Sequence, residues 1–275
     1  DMRLDDIELG PCPQDHVLVE PMVVQPSVTE AQLAFGISTL AYENIKSRLE
    51  TDAPIQLFGH EFCARILEVG SEVSGYAPGD RVAARAKLPC GDCSMCNSER
   101  GTDCRTGPII GFQLPGCFAE RALLPAISLV KVDDRISNSE AATLQSLSDS
   151  IAGVETAQIR PGDSVAIFGQ GSMGIESMQA ARACGAGQLI TVDVRDEACQ
   201  LSLELGADRA INARKDDPVE AIRALTGGEG TDVVFECAGG SVKQGLAGDQ
   251  ALKQAMHAVR SGGKLVGVSW FGAPL

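Results

Sequence analysis

The chain has 275 residues, of which 44% are hydrophobic, and its formal net charge at pH 7 is −14. This hydrophobic share lies well above that of disordered chains, and the negative charge argues against nucleic acid or an anionic membrane as a partner. No uninterrupted apolar run approaches the roughly 20 residues that a membrane span requires. The length favours two folded domains.

The first half of the chain, residues 1–150, has the texture of an irregular β-rich domain. Short apolar runs are separated by turns that contain Gly and Pro, and this alternation is typical of short strands. The predicted strands are Val17–Val19, Ala64–Val69, Arg81–Ala84 and Leu129–Val132.

Four cysteines within this half, Cys90, Cys93, Cys96 and Cys104, have the spacing C-x2-C-x2-C-x7-C. Four thiolates on one short loop can close tetrahedrally around a metal ion, and zinc is the usual occupant of an all-sulfur site. The surrounding segment has little apolar content, so the metal would supply folding energy. We therefore predict one structural zinc in a lobe at about residues 89–105.

Two disulfides are the alternative for these four cysteines, and they require an oxidising compartment. The other six cysteines are scattered and lie mostly in apolar surroundings. This distribution is typical of reduced core residues, so we expect a cytoplasmic protein.

From residue 151 onwards, strands alternate with helices, which predicts a parallel sheet covered on both faces. The stretch Ser139–Ile159 is predicted to be a helical bridge into this second domain, residues 151–275. The predicted strands are Val165–Phe168, Leu189–Val192, Val233–Phe235 and Leu265–Val268, and helices are predicted at Glu197–Leu205 and Ala251–Val259.

A G-x-G-x-x-G motif follows the first of these strands, with glycines at positions 169, 171 and 174 around Ser172 and Met173. Gly169 permits the tight turn, Gly171 allows a pyrophosphate to approach the backbone, and Gly174 allows close helix–strand packing. The following helix would present free N–H groups to the phosphates. The motif predicts a dinucleotide site; the alternative is a glycine turn that binds nothing.

Asp193 ends the next predicted strand, 19 residues after Gly174. A carboxylate there can accept hydrogen bonds from the ribose hydroxyls of the adenosine and repel a 2′-phosphate, which favours NAD(H) over NADP(H). Arg195 counts against this preference, because an arginine at that position can pair with the 2′-phosphate.

With both motifs in place, the chain resembles the zinc-containing medium-chain dehydrogenases, the superfamily of alcohol, sorbitol and threonine dehydrogenases. The resemblance implies a GroES-like catalytic domain, a Rossmann domain and an active site in the cleft between them. It also implies a small-molecule substrate, a homodimer or homotetramer, and further chain beyond residue 275. The matching segments are Gly59–Phe62, Glu68–Ser71, Gly79–Val82, the four cysteines, Gly116–Glu120 and Pro161–Gly162.

The resemblance also implies a second, catalytic zinc, which polarises the substrate oxygen during hydride transfer. His60 and Glu61 match the family's Gly-His-Glu motif. However, Ser27 stands at the position of a cysteine ligand, and Gln145 stands at the position of a glutamate near the domain junction. Thr29 occupies the family's proton-relay position, with an ordinary turn threonine as the alternative.

Neutral hydroxyl and amide groups are poorer zinc ligands than thiolate and carboxylate, so three hypotheses about function remain open. In the favoured one, an NAD(H)-dependent oxidoreductase interconverts a small secondary alcohol and a ketone, with zinc on His60 and Glu61. In the second, a reductase without catalytic zinc acts on a conjugated C=C bond or an activated carbonyl, polarised by Ser27, Thr29 or Ser148. The third is a dinucleotide-binding module without turnover.

Overall fold

The computed structural model describes residues 3–35, 42–51, 55–85, 88–98, 101, 104, 106–240 and 249–269. The chain divides into two compact units, Asp1–Gln145 and Ser146–Leu275. Each unit has hydrophobic clusters of its own. None of the helices in the described part of the chain combines the length and the apolar character needed to cross a bilayer.

The first unit contains a five-stranded antiparallel sheet in the order β4-β1-β2-β3-β5. Val17 and Val19 of β1 point into its core, because alternate residues of a strand share a face. β1 is longer than predicted and continues through Pro21, where the register with β2 shifts at an irregularity that accommodates the proline. The strands are β1 (His16–Val24), β2 (Phe62–Val69), β3 (Arg81–Ala84), β4 (Ala122–Pro125) and β5 (Leu129–Lys131).

Four short helices accompany this sheet: α1 (Val28–Ala34), α2 (Tyr42–Thr51), α3 (Ser94–Asn97) and α4 (Asn138–Ala142). Helix α1 begins with a capping box, in which the Ser27 hydroxyl accepts from the N–H of Glu30 and the Glu30 carboxylate accepts from the N–H of Ser27. Ser137 and Glu140 form the same arrangement at α4.

The second unit is a five-stranded parallel sheet in the order β10-β9-β6-β7-β8. Val154 and Met178, from α5 and α6, pack on one face of it, and Ile222 and Ala255, from α8 and α9, pack on the other. This covering confirms the predicted doubly wound α/β fold. The strands are β6 (Ser164–Phe168), β7 (Gln188–Asp193), β8 (Arg209–Asn212), β9 (Thr231–Glu236) and β10 (Val259–Gly267), and the helices are α5 (Leu144–Ala157), α6 (Ser172–Ala183), α7 (Asp196–Glu204), α8 (Pro218–Leu225) and α9 (Gln250–Ala258).

The predicted helical bridge Ser139–Ile159 consists of two helices, α4 and α5, with Thr143 as the C-cap of α4. The division expected at residue 150 falls inside α5. Strand β8 and helix α8 have no counterpart in the sequence-based predictions. Both are short, and neither carries a motif.

Candidate functional site

The turn between β6 and α6 has the backbone geometry that a dinucleotide requires. Gly169 has φ +89°, and a Cβ there would lie 2.7 Å from the backbone N and Cα of Ala238. A Cβ on Gly174 would lie 1.8 Å from the carbonyl oxygen of Gly169, whereas a Cβ on Gly171 would meet nothing within 4 Å. Gly169 and Gly174 are therefore required by the packing of the turn, and the space at Gly171 is open to a ligand.

Helix α6 directs its N-terminus at this open space. Gly171 is its N-cap and provides no side-chain hydrogen bond. Ser172, Met173 and Gly174 follow as the first helical residues, and N–H groups in the first turn of a helix have no intrahelical acceptor. These donors and the helix dipole suit a phosphate group, so the turn fits the pyrophosphate of a dinucleotide.

The Asp193 side chain, at the end of β7, is only 6% exposed and already has four hydrogen bonds. Oδ2 accepts from the backbone N–H of Gln170 at 2.7 Å and from Arg195 Nη2 at 3.2 Å. Oδ1 accepts from the backbone N–H of Arg195 at 3.0 Å and from Arg195 Nε at 3.1 Å. Burial raises the pKa of Asp193, but these hydrogen bonds outweigh it and leave the pKa below its ordinary value.

The guanidinium of Arg195 therefore occupies two of the four acceptor positions of the Asp193 carboxylate. Its Nη2 also donates to the carbonyl oxygen of Gln170 at 3.3 Å, next to the glycine turn. The Arg195 side chain is 50% exposed. A ribose hydroxyl can use these two positions on Asp193 only when the half-exposed Arg195 side chain moves aside.

His60 lies between two buried carboxylates in the first unit. Its Nδ1 lies 2.8 Å from Glu30 Oε1, and its Nε2 lies 3.4 Å from Glu61 Oε1. Glu61 Oε2 in turn accepts from Gln25 Nε2 at 2.5 Å. All three members of the Glu30–His60–Glu61 group are buried.

Glu30 is the member of this group that the sequence predictions missed. Its Oε1 accepts from the backbone N–H groups of Gly59 at 2.6 Å and His60 at 3.3 Å, as well as facing His60 Nδ1. Burial raises the pKa of Glu30, but its hydrogen bond and charge interaction with His60 leave the pKa below its ordinary value. Glu30 thus fixes the orientation of the His60 ring. The capping-box spacing from Ser27 was a signal for the helix start, though not for this contact.

The structure places Ser27, Thr29, His60 and Glu61 in one region of the first unit, around the start of α1 and the segment before β2. The Ser27 hydroxyl is used as the cap of α1 and accepts from the Glu30 N–H at 3.1 Å. Thr29 lies in the first turn of that helix and is half-buried. Gln145 is the second residue of α5 and the last residue of the first unit.

The side chains around His60 provide too few ligands for a catalytic zinc ion. Tetrahedral zinc with N and O ligands at about 2.0–2.1 Å places two ligand atoms about 3.4 Å apart, and His60 Nε2 and Glu61 Oε1 lie at 3.4 Å. Catalytic zinc, however, takes three protein ligands. Among the residues that the structure describes, three or more ligating side chains lie close enough to share one ion at the four cysteines, and not at His60.

The four predicted cysteines do fit a structural zinc. Their sulfur atoms all lie within 4.8 Å of one another, with separations of 3.6 Å for Cys93–Cys96, 3.8 Å for Cys93–Cys104 and 3.9 Å for Cys90–Cys96. Zn–S bonds of about 2.3 Å give a tetrahedral edge of about 3.8 Å. A disulfide would need about 2.05 Å, and all ten cysteines of the chain are free thiols.

Local hydrogen bonds favour the thiolate form that zinc requires at Cys104, whereas at Cys96 a backbone hydrogen bond at Gly91 is outweighed by burial and by the three neighbouring thiols, which raise the pKa to about 11. The backbone N–H of Cys90 donates to Cys104 Sγ at 3.3 Å. This contact, with a further backbone donor at Thr106, lowers the pKa of Cys104 to about 6. Four protein ligands leave no open position on the metal, so this site serves architecture. Residues 99, 100, 102, 103 and 105 of the predicted lobe lie outside the described residues.

Comparison with known proteins yields two matching family models. The model described as "Alcohol dehydrogenase GroES-like domain" matches residues 28–134, and the model described as "Zinc-binding dehydrogenase" matches residues 172–275. The first range contains the cysteine cluster and His60, and the second contains α6 and Asp193. The chain belongs to the zinc-type medium-chain dehydrogenase/reductase superfamily.

Curated relatives within this superfamily include dehydrogenases of hydroxylated compounds. L-threonine 3-dehydrogenase of Bacillus licheniformis is 31% identical over 220 residues, which are 80% of this chain and 60% of that protein. Sorbitol dehydrogenase of Bacillus subtilis is 32% identical over 213 residues, which are 76% of this chain and 57% of that protein. The chain therefore spans between 57% and 60% of the length of these two relatives.

Solved structures show the same fold. A protein described as a zinc-binding dehydrogenase from Sinorhizobium meliloti 1021, bound to NADP, is 28% identical with a TM-score of 0.85, over 98% of this chain and 73% of its own. An alcohol dehydrogenase from Thermus sp. ATN1 is 27% identical with a TM-score of 0.79, over 100% of this chain and 76% of its own.

Proposed function

We propose that this protein transfers hydride between a nicotinamide dinucleotide and a small organic substrate, interconverting a secondary alcohol and a ketone. The observation that carries the proposal is the glycine turn, where open space at Gly171 faces the N-terminus of α6 beside an ionised Asp193. The relatives named for threonine and sorbitol support an alcohol substrate, since both compounds carry hydroxyl groups on secondary carbons.

In this proposal each part of the site has a separate role. The turn and the first turn of α6 bind the pyrophosphate, and Asp193 binds the adenosine ribose. Glu30 holds the His60 ring in a fixed orientation, and the Thr29 hydroxyl moves a proton to or from the substrate oxygen. The nicotinamide ring, when bound, accepts or supplies the hydride. Zinc on the four cysteines stabilises their lobe.

The proposed cofactor is NAD(H) rather than NADP(H). Asp193 is buried and ionised, so it repels a 2′-phosphate. Arg195 already pairs with Asp193 through two guanidinium nitrogens, and turning it towards a phosphate would remove that partner from the carboxylate. The solved relative from Sinorhizobium meliloti is bound to NADP, so a test of this preference compares both cofactors.

The test is NADH oxidation by the full-length protein with a panel of ketones, conjugated enals and quinones. Turnover of ketones, with little turnover of enals, is the expected result. Turnover of enals or quinones alone would assign the protein to the second candidate below. NADH binding without turnover of any compound would leave only a dinucleotide-binding module.

A reductase without catalytic zinc, acting on a conjugated C=C bond or an activated carbonyl, is the second candidate. The observation in its favour is the incomplete ligand set, in which His60 and Glu61 supply two donors and Ser27 caps α1. Zinc analysis of the purified full-length protein separates the two candidates. Two zinc ions per chain favour the alcohol dehydrogenase, and one favours the second candidate.

Assembly and location complete the proposal. We propose a homodimer or homotetramer in the cytoplasm, and the ten free thiols support a reducing compartment. Light scattering on the full-length protein tests the oligomeric state.

A further inference from the structure

Glu236, the last residue of β9, is fully buried and accepts three hydrogen bonds. Its Oε1 accepts from the backbone N–H groups of Ala238 at 3.0 Å and Gly239 at 2.9 Å. Its Oε2 accepts from the Ser269 hydroxyl, just beyond β10. All three donors are neutral groups. One carboxylate therefore ties together the segments that follow two neighbouring strands.

The segment that follows β9 is a wall of the dinucleotide turn. The backbone N and Cα of Ala238 lie where a side chain on Gly169 would begin, 2.7 Å from its Cβ position. The backbone N–H of Cys237 donates to the carbonyl oxygen of Phe168, the residue before that turn, at 2.8 Å. The segment therefore lies against the turn on the side of β6 that faces away from β7 and Asp193.

The order of the strands determines which half of a dinucleotide passes over Glu236. β7, which carries Asp193, lies on one side of β6, and β9 and β10 lie on the other. Ligands of such sheets bind across the carboxyl ends of the strands. With the adenosine at Asp193 and the pyrophosphate at α6, the nicotinamide half extends over the ends of β9 and β10.

We propose that Glu236 is a positioning residue for the nicotinamide half of the cofactor. It holds the segments after β9 and β10 in the arrangement that this half contacts, and it acts through their backbone without touching the cofactor. The inference rests on the proposed function, because it takes a nicotinamide dinucleotide to be the ligand. It also predicts that the adenosine half binds independently of Glu236.

The experiment measures dissociation constants for NADH and for ADP-ribose, which lacks the nicotinamide, in the full-length protein. In Glu236→Ala we expect NADH affinity to fall about tenfold and ADP-ribose affinity to change less than about twofold, since the lost hydrogen bonds lie on one side only. Glu236→Gln restores NADH affinity, because its amide can still accept from both N–H groups and donate to Ser269.

Asp232, at the other end of the same strand, provides the matched control. It accepts from the backbone N–H of Ser164 at 2.8 Å, from the Ser164 hydroxyl at 2.6 Å and from Arg260 Nε at 2.7 Å. Asp232→Ala should lower the melting temperature without changing the ratio of the two affinities. Ser269→Ala is a milder change and should lower the affinity for NADH about threefold. This variant replaces Glu236→Ala in the test if Glu236→Ala does not fold.

Two results with the variants would overturn the inference while leaving the proposed function intact. One is an equal loss of NADH and ADP-ribose affinity in the Glu236 and Ser269 variants, and the other is no loss at all. If the wild-type protein binds ADP-ribose as tightly as NADH, the nicotinamide half contributes nothing and the inference also fails. Absence of NADH binding by the wild type would overturn the proposed function itself.

Discussion

At the scale of single residues, the adenosine end of the cofactor site is closed by the protein's own arginine. The Arg195 guanidinium bonds both oxygens of Asp193 and the carbonyl oxygen of Gln170. It therefore competes with a ribose for the carboxylate, and an arginine at this position can pair with a 2′-phosphate. Removing it has opposite consequences for the two cofactors.

We predict that Arg195→Ala binds NADH at least as tightly as the wild type and NADPH about tenfold more weakly. The carboxylate becomes free for ribose hydroxyls, while its charge repels the 2′-phosphate without a guanidinium to offset it. Fluorescence titration with both reduced cofactors measures the ratio. Arg182→Ala is the control, because Arg182 pairs with Asp208 elsewhere in the same unit. An unchanged ratio would exclude Arg195 as a determinant of cofactor preference.

Glu30 determines how His60 is presented, since it accepts from the ring and from the backbone N–H groups of Gly59 and His60. We predict that Glu30→Gln lowers kcat/KM about tenfold, because the His60 ring loses its charged hydrogen-bond partner. Glu140→Gln is a matched control, since Glu140 forms the same capping box at α4 and its side chain is exposed. Equal kcat/KM in the two variants would show that Glu30 acts only as a helix cap.

At the scale of secondary-structure elements, two acids secure the two ends of β9. Glu236 bonds to the segments at the carboxyl end, and Asp232 bonds to Ser164 of β6 and Arg260 of β10 at the amino end. Burial raises the pKa of Asp232, but the hydrogen bonds from Ser164 and Arg260 lower it to about 2. The charged form of Asp232 is thus the one that holds three strands together.

This shift predicts a pH dependence of stability. Because the pKa of Asp232 in the folded protein lies below its ordinary value of 3.8, its stabilisation is present above pH 3.8 and is lost as the pH falls towards 2. In Asp232→Asn, we expect a lower melting temperature at pH 7 and a weaker fall of that temperature between pH 4 and 2. Thermal unfolding across this range is the measurement, and parallel curves for both proteins would contradict the prediction.

The cysteine lobe is an element stabilised by metal more than by packing, since three of its four ligands are only half-buried. We predict that Cys93→Ser loses the lobe zinc and melts at least about 5 °C lower, because structural zinc supplies folding energy. Cys184→Ser, at an exposed thiol outside the cluster, should keep both zinc and melting temperature. Elemental analysis with thermal unfolding tests this, and retained zinc in Cys93→Ser would show that the ligand set is wrong.

At the scale of the whole molecule, the two units have separate cores, so damage to one site should spare the other. A side chain on Gly174 would collide with the carbonyl oxygen of Gly169 at 1.8 Å. We predict that Gly174→Ala lowers the affinity for NADH at least about tenfold and that the variant keeps the zinc of the cysteine lobe. NADH titration and zinc analysis on the same sample provide the test. Loss of zinc together with NADH binding would mean that the units unfold as one.

Gly171→Ala is the companion variant, because its added methyl group meets no protein atom within 4 Å. This variant should keep the melting temperature of the wild type. Its affinity for NADH should still fall, because the methyl group enters the space proposed for the pyrophosphate. A stable Gly171→Ala variant with unchanged NADH affinity would place the cofactor elsewhere.

The sequence was sufficient to predict the sites whose residues lie close together along the chain. The four cysteines fall within 15 residues, and the glycine motif lies between one strand and one helix. In both cases local geometry brings the chemical groups together, so spacing is sufficient to predict the site. The alternation of strands and helices likewise predicted the parallel sheet, because each element must bury one apolar face.

Contacts between side chains that are far apart in sequence became visible in the folded structure alone. Glu30 reaches His60 across 30 positions, and Glu236 receives the Ser269 hydroxyl across 33. Such contacts depend on how the strands pair and where they end. The spacing of residue types along the chain does not predict either of these. The direction of the Arg195 side chain, which determines whether Asp193 is open, was undecided for the same reason: it depends on the carbonyl oxygen of Gln170, 25 positions earlier.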